Sequence, residues 1–368
     1  MRRSLSKGRG ILAFDVMKNK NITVVLGDPR LPDPVKKDGR FNPEDLETVD
    51  IFKRALGLLD NYKVVYLDDH TRLLKDLRAL SKRKSTGESP VDYVLNFCDE
   101  GLHNHPLKEQ DIPQCLEKYG LPYTGAGPRC LRLCYDKSAV KKIASNQGIP
   151  VTRGFSLREN EDTIPELEFP VFIKPNYGDG SFAINNASVV NSHEELSKQI
   201  EWVREKLRQS KHRAVVLVEE YLPGEELSVA MIGNPPELEV RIIQENLDLL
   251  TEGPKIIGQD AKWDPDSEGW KKLVSIKPKI AEDLQHLIKD YSVSLFGTLE
   301  CRDYARFDWR IDREGKPKLM EANPNCGWCH DGHLVRAFSL GSEANLEIKY
   351  SSVLEKILRA AEKRLKIY

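Results

Sequence analysis

A chain of 368 residues with 40% hydrophobic and 31% charged side chains has the makeup of an ordinary soluble globular protein, long enough for two or three domains with buried cores. Lys plus Arg (56) nearly balances Asp plus Glu (57), so no field of one sign recruits nucleic acid or a membrane, and any polyanion site must be local. Seven cysteines, an odd number scattered along the chain, read as reduced cytosolic thiols and not as a disulfide framework. The N-terminus is basic, but the apolar run at 11–17 is short and contains Asp15, which makes a poor signal peptide. An organellar transit segment stays open. No stretch is long enough to cross a bilayer, and the expected location is the cytoplasm.

The first third alternates apolar runs with helical patterns: a strand at 22–27, a helix at 44–59, and strands at 63–67 and 91–97. Strand–helix alternation implies an N-terminal parallel-sheet domain. The basic stretch 82–90 reads as an exposed loop, since no aromatic interleaves it. A crossover rich in glycine and proline at 121–128 opens a second unit, with a helix at 136–147, a strand at 169–174, a glycine-rich turn, a helix at 192–208 and a strand at 215–219. A third, strand-rich unit follows Tyr221-Leu222-Pro223-Gly224, its sheet covered by helices at 280–295 and 346–365. The expected fold is α/β, becoming α+β in the C-terminal part, with units at 1–125, 126–219 and 220–368.

Near the C-terminus, Arg306-Phe307-Asp308 and Met320-Glu321-Ala322-Asn323 place two carboxylates and one amide oxygen on neighbouring strands of a hairpin. Such an oxygen-only set suits Mg²⁺ held between protein and nucleotide phosphates. Ordinary strand-end polar residues would look the same. The turn Pro175-Asn176-Tyr177-Gly178-Asp179-Gly180-Ser181 follows a strand ending in Lys174, and no helical pattern starts directly after it. That separates it from a Walker A loop and from a dinucleotide fingerprint. Glycines between two strands suggest a hairpin whose backbone N–H groups and Ser181 hydroxyl close over phosphates.

Taken in order, Asp136-Lys137, Phe172-Ile173-Lys174 with its glycine loop, Glu219-Glu220-Tyr221-Leu222 with Glu225-Glu226, Ala261-Lys262-Trp263, Arg306-Phe307-Asp308 and Glu321-Ala322-Asn323 form a specific set. The set resembles the ATP-grasp superfamily, and within it the D-alanine–D-alanine ligase branch, over roughly residues 91–338. Tyr119-Gly120-Leu121-Pro122-Tyr123-Thr124-Gly125-Ala126-Gly127 strengthens the likeness to that branch. The resemblance implies a three-unit ATP-grasp architecture. It also implies that Lys137 and Lys174 hold the α- and β-phosphates of ATP, that Gly178, Gly180 and Ser181 close over the triphosphate, and that Lys262 reaches the γ-phosphate. Glu219, Glu220, Tyr221 and Leu222 correspond to the hinge at the adenine, and Glu226 to the acid on the ribose. Asp308, Glu321 and Asn323 would hold two Mg²⁺ ions, with Mn²⁺ able to substitute, and Arg306 would steady the oxyanion of a tetrahedral intermediate. The implied enzyme is an acid–amino-acid ligase that activates a carboxylate as an acyl phosphate and condenses it with an amine. Its partners would be small carboxylate and amine substrates, amino acids or short peptides, and relatives suggest a homodimer.

Substrate identity is where the pattern departs. The branch carries small residues and a Ser-Leu after its Glu-x-Asn; here the segment is Pro324-Asn325-Cys326-Gly327-Trp328-Cys329-His330-Asp331-Gly332-His333. Gly27-Asp28-Pro29-Arg30-Leu31 replaces a double-glycine turn, and no downstream acid for a donor amine is identifiable. The expectation is a related ligase with altered specificity, D-alanyl-D-alanine synthesis remaining open. Cys326 and Cys329 with His330 also fit haem attachment, a redox dithiol or half a zinc site, zinc being the strongest of these three. The favoured reading is a substrate loop in which Trp328, His330, Asp331 and His333 shape recognition. An ATP-grasp kinase and a non-catalytic nucleotide sensor are the alternatives from other classes.

Overall fold

The computed structural model describes residues 19–367 except 35, 88–90, 162, 211 and 252. The expectations for the basic N-terminus and the run at 11–17 fall outside the described residues. The chain begins with β1 (Lys20–Val25), α1 (Pro43–Gly57), β2 (Tyr62–Leu67), α2 (Leu73–Ser85), β3 (Tyr93–Asn96) and α3 (Asp111–Lys118). The strands form a parallel sheet in the order β2-β1-β3. Helix α1 starts where Asn42 and Asp45 close a reciprocal capping box around Pro43. The basic stretch expected as a loop is in its first part the last turn of α2, whose Leu73 and Leu77 are buried while Lys82 and Arg83 stay near solvent. Without an aromatic partner these charges gain nothing from leaving water, and the buried leucines hold the helix.

The second stretch contains α4 (Pro128–Cys134), α5 (Lys137–Asn146), β4 (Gly154–Leu157), β5 (Val171–Pro175), β6 (Val189–Val190), α6 (His193–Gln209) and β7 (Val216–Glu220). The strands pair antiparallel in the order β4-β7-β5-β6, and α6 lays Leu196, Ile200, Val203 and Leu207 against Val171, Ile173 and Val218. Helices α4 and α5 pack elsewhere. Their Cys130, Leu131, Cys134, Val140 and Ala144 share a core with Phe307, Trp309 and Leu319 of the following sheet.

The remainder comprises β8 (Glu226–Asn234), β9 (Glu237–Glu245), α7 (Gln259–Trp263), α8 (Glu268–Lys272), β10 (Ser275–Ile276), α9 (Glu282–Thr298), β11 (Tyr304–Ile311), β12 (Pro317–Asn323), α10 (His333–Ser339) and α11 (Leu346–Leu365). Its antiparallel sheet runs β10-β9-β8-β11-β12. Strand alternation sends Leu227, Val229 and Phe307 to the face covered by α9, and Ala230, Ile232 and Tyr304 to the face covered by α11. Helix α11 also packs on α1, so Ile22, Phe52 and Phe97 belong to one core with Leu354 and Leu358. This shared core seats the N-terminal sheet beside the C-terminal one. All seven thiols are free, and no helix among the described residues is long and apolar enough to cross a membrane.

Candidate active site

The hairpin of β11 and β12 sets the geometry. Asp308 lies opposite Glu321 and Arg306 opposite Asn323, and positions two apart share a face, so the four polar groups converge while Phe307 and Ala322 enter the core. A register shift follows, with Trp309 opposite Leu319 and Met320 as the extra residue. Arg306 grips Asp308 with Nε 2.9 Å from Oδ1 and Nη2 2.7 Å from Oδ2. Asn323 Nδ2 donates to Asp308 Oδ2 at 3.0 Å, and the Ser228 hydroxyl from β8 donates to Oδ1 at 2.7 Å. Burial would lower the Arg306 guanidinium, and Asp308 more than reverses this. Burial likewise pushes the Glu321 carboxyl up, but Lys137, Lys262, Lys174 and Arg306 together hold it at about 2.

This donor set fits a hard divalent cation. Asp308 and Glu321 are acceptor-only oxygens on directly opposed positions, and turning the Asn323 amide would bring its oxygen to the same point. At present the Arg306 guanidinium and the Asn323 N–H balance the carboxylates.

Lys137 opens α5, capped by Asp136, and its ammonium donates to the Gly178 carbonyl and lies 3.9 Å from Glu321. Lys174 ends β5, its ammonium 3.0 Å from Glu219, which also pairs with Lys141. Thr152 completes that network, accepting from Lys141 and donating to Glu219 at 2.6 Å each. The Glu219 carboxylate therefore serves as the shared counterion of two buried lysines. Burial, helped by Lys137, draws Lys174 down to about 8 against the pull of Glu321. Lys141 is pushed well below the usual lysine range by burial and by Lys174 and Lys137.

Glu220, Tyr221 and Leu222 line the same pocket. Glu220 turns its carboxylate outward to Arg153, accepting from its backbone N–H at 2.8 Å and Nε at 3.1 Å. Glu226 is held by Arg310, whose Nη1 is 3.3 Å from Oε2 and whose Nε donates to the Gly224 carbonyl at 3.2 Å.

The glycine loop is tied to the segment that carries Lys262. Ser181 Oγ donates to the Ile257 carbonyl at 3.2 Å, Gln259 N–H to the Ile184 carbonyl at 2.8 Å, and Trp263 Nε1 to the Gly180 carbonyl at 2.9 Å. Gly180 and Ser181 sit at φ +62° and +57°, and the glycine makes that left-handed turn without steric cost. With the two segments joined, about 100 Å³ stays open beneath them.

A second cavity of about 440 Å³ meets this pocket at Arg306, Lys262 and His333. Its walls include Glu44 and Asp45 at the start of α1, together with Asp99, Glu100, Glu245 and Asp331. Lys36 reaches Asp45 at 3.1 Å and Glu100 at 3.8 Å. Gly27 makes room for this wall, since a Cβ there would stand 2.5 Å from the Glu100 carboxyl carbon. The loop expected to shape recognition divides. Asp331 and His333 face the cavity and His330 lies off its wall. Trp328 reaches the cavity edge but is mostly core, 6% exposed, stacked on Phe97 at 5.4 Å and donating to Asp99 at 3.3 Å. Cys326 is buried, and among the described residues no group of three or more His, Cys, Asp or Glu converges on a metal position.

Several site residues escaped the sequence reading. Lys141 is one turn beyond Lys137 on α5, and Arg310 is two residues beyond Asp308, so helical and strand periodicity carried both signals. Ser228 and Glu245 had no local signal, whereas Asp99 and Glu100 lie in the segment 96–101, which departs from the histidine-containing loop of the branch.

A family model described as the D-ala D-ala ligase C-terminus matches residues 144–358. Among curated proteins, the uncharacterised protein y4sG of Sinorhizobium fredii is 31% identical over 265 residues, covering 69% of this chain and 70% of that one. The D-alanine–D-alanine ligase of Pelotomaculum thermopropionicum is 27% identical over 275 residues, covering 71% and 78%. In fold, the chain is similar to the crystal structure of D-alanine–D-alanine ligase from Bacillus anthracis complexed with ATP, with a TM-score of 0.66 at 21% identity, over 94% of this chain and 99% of that one. The matched region contains the glycine loop, the segment that carries Lys262 and the β11–β12 hairpin, and the chain belongs to the D-alanine–D-alanine ligase-like family of ATP-grasp ligases.

Proposed function

We propose that the protein is an ATP-dependent carboxylate–amine ligase that works through an acyl phosphate, with substrates other than a pair of D-alanines. The observation that carries this reading is the meeting of two cavities at Arg306 and Lys262: one holds Lys137, Lys174 and the glycine loop, and the other holds Glu44, Asp45, Asp99 and Glu100 with Lys36 among them. Lys137 and Lys174 hold the inner phosphates, Lys262 the γ-phosphate, and Glu226 the ribose. Asp308, Glu321 and Asn323 would hold Mg²⁺, which when bound neutralises phosphate charge. A substrate carboxylate placed beside Lys262 attacks the γ-phosphate, and ADP leaves. Positioning and charge neutralisation are the main demands of such a transfer. The acyl phosphate removes the negative charge that makes a carboxylate a poor electrophile. An amine then attacks the carbonyl, Arg306 offsets the oxyanion, and phosphate departs as the amide forms.

The carboxylates of Glu44, Asp45, Asp99 and Glu100 favour a substrate that brings an ammonium into the second cavity, as an amino acid does. The absence of the branch's serine from the segment 324–334, and Trp328 stacked into the core, support a substrate other than D-alanine. The test is ADP and phosphate release with Mg²⁺-ATP across D- and L-amino acids, β-amino acids and dipeptides, with mass spectrometry of the products. A product one condensation heavier than its precursors supports the proposal. ADP release without any condensed product overturns it in favour of a kinase or hydrolase.

A further inference from the structure

We infer that His333, backed by Glu245, accepts the proton lost by the attacking amine; the inference rests on the ligase reading above and adds a residue to it. Amide formation cannot finish without such an acceptor. The free-base nitrogen gives its lone pair to the acyl carbon, the carbonyl π pair moves onto oxygen, and the nitrogen carries a proton too many. That proton must leave before the oxygen pair returns and the C–O bond to phosphate breaks, phosphate carrying the pair away.

Few groups at the junction of the cavities can receive it. Arg306 and Lys262 are cations aimed at developing negative charge, and Asp308, Glu321 and Asn323 form the cation-binding set. Two titratable acceptors line both cavities: Asp179, whose carboxylate stands among Lys137, Lys262 and Arg306, and His333, which has a buried acid beside it. The orientation of His333 follows from a chain of hydrogen bonds. The Ser228 hydroxyl spends its hydrogen on Asp308 Oδ1 at 2.7 Å, and His333 Nδ1 is 3.3 Å from the same hydroxyl oxygen. That oxygen can only accept from the ring, so Nδ1 carries the N–H and Nε2 keeps the lone pair. Nε2 lies 3.5 Å from Glu245 Oε1, beyond a hydrogen bond but close enough to partner the imidazolium once formed. Glu245 is itself oriented by Ser275, whose hydroxyl donates to Oε1 at 2.7 Å. With Nδ1 spent on Ser228, Nε2 is the ring nitrogen left to accept a proton, and Glu245 beside it would hold the imidazolium.

The charged groups around the imidazole are Glu245 on β9, Arg306 and Asp308 on β11, Lys262 on α7 and Arg336 on α10 itself. Burial and the three cations push His333 well below the usual imidazole range, which keeps it free to accept at neutral pH.

The experiment compares full-length wild type with His333→Gln, which retains a side-chain N–H but no titrating nitrogen. D- and L-alanine, D-serine, β-alanine and hydroxylamine serve as amines with each carboxylate that releases ADP. Hydroxylamine is largely unprotonated at neutral pH and needs little help from a base, so hydroxamate reports a folded variant that still makes acyl phosphate. The expected result is a fall in the ratio of amide to hydroxamate rates of about a hundredfold, with loss of the acidic limb of the amide pH–rate profile. Equal losses with both kinds of amine, the limb intact, would assign His333 to holding Ser228 and Asp308 and overturn the proposal. ADP release by wild type with no hydroxamate would instead remove the acyl phosphate, and both readings with it. Nitrogen NMR of labelled protein reads the tautomer without substrate, and an Nε2–H resonance that disappears in His333→Gln would also overturn the assignment.

Discussion

The indole N–H of Trp263 donates to the carbonyl of Gly180 at 2.9 Å, joining the helix that carries Lys262 to the glycine loop across the mouth of the nucleotide pocket. With the Ser181 hydroxyl on the Ile257 carbonyl, the bond holds the two segments together. Replacing Trp263 by Phe removes a donor worth about 1 kcal/mol, so closure without nucleotide should weaken several-fold. Amide hydrogen exchange at 178–186 and 256–264 should quicken in the variant and slow again with Mg²⁺-ATP. Identical exchange in both proteins would mean that the two segments move independently.

Glu219 is 3% exposed at its side chain and faces the ammonium groups of Lys141 and Lys174. A glutamine there leaves the two buried lysines without a carboxylate counterion. Breaking a buried pair in this way costs about 3–5 kcal/mol, which urea unfolding should register as a lower midpoint at similar m-value. A loss below about 1 kcal/mol would show that water or the glutamine oxygen compensates.

Lys174 sits at about 8 in the folded protein, against an ordinary value of 10.5. The unfolded chain therefore binds the proton more tightly, and this group makes stability rise with pH through the window from about 8 to 10.5. Phosphate oxygens reverse the preference by favouring the ammonium. Nucleotide binding within that window should take up a proton, and affinity should fall as pH rises above about 8. Calorimetry in buffers of different ionisation enthalpy measures the uptake. Lys174→Met should bind more weakly with a flatter pH dependence, and an unchanged slope would place the titrating group elsewhere.

Trp328 stacks on Phe97 at 8° between planes and meets Phe52 edge-on at 5.0 Å. Truncation to Ala should cost about 3–5 kcal/mol of stability because it opens a cavity in the core shared by the first and third units. Thermal unfolding of the apoprotein checks this. An unaffected transition with altered substrate preference would return the residue to a recognition role.

Arg306 grips Asp308 through Nε and Nη2, whereas the adenine is assigned to the hinge at Glu220 to Leu222. Arg306→Ala should therefore retain nucleotide binding while amide formation falls on the order of a hundredfold or more. Turnover at the wild-type rate would defeat its assignment to the oxyanion. In the same assay, Glu321→Gln should lose Mg²⁺-dependent ATP turnover.

The sequence by itself determined the elements whose signals are local. Short apolar runs carried the strands at 63–67 and 215–219, caps and helical spacing carried the helices at 136–147 and 346–365, and the order of short motifs carried the family. It also put Arg306 and Asp308 two residues apart on one strand, and so on one face. Only the tertiary structure decided which charges neutralise one another. Glu219 meets Lys141 across 78 residues and Glu245 meets His333 across 88, and nothing local distinguishes these acids from solvated ones. The same holds for the walls of the second cavity, which come from α1, the loop after β3, β9 and α10. Trp328 went to the core for a related reason: a loop tryptophan reads equally as ligand or ballast until a surface such as Phe97 is there to receive it. Burial and pairing are properties of the assembled sheets, and pKa values and reactivity follow from them.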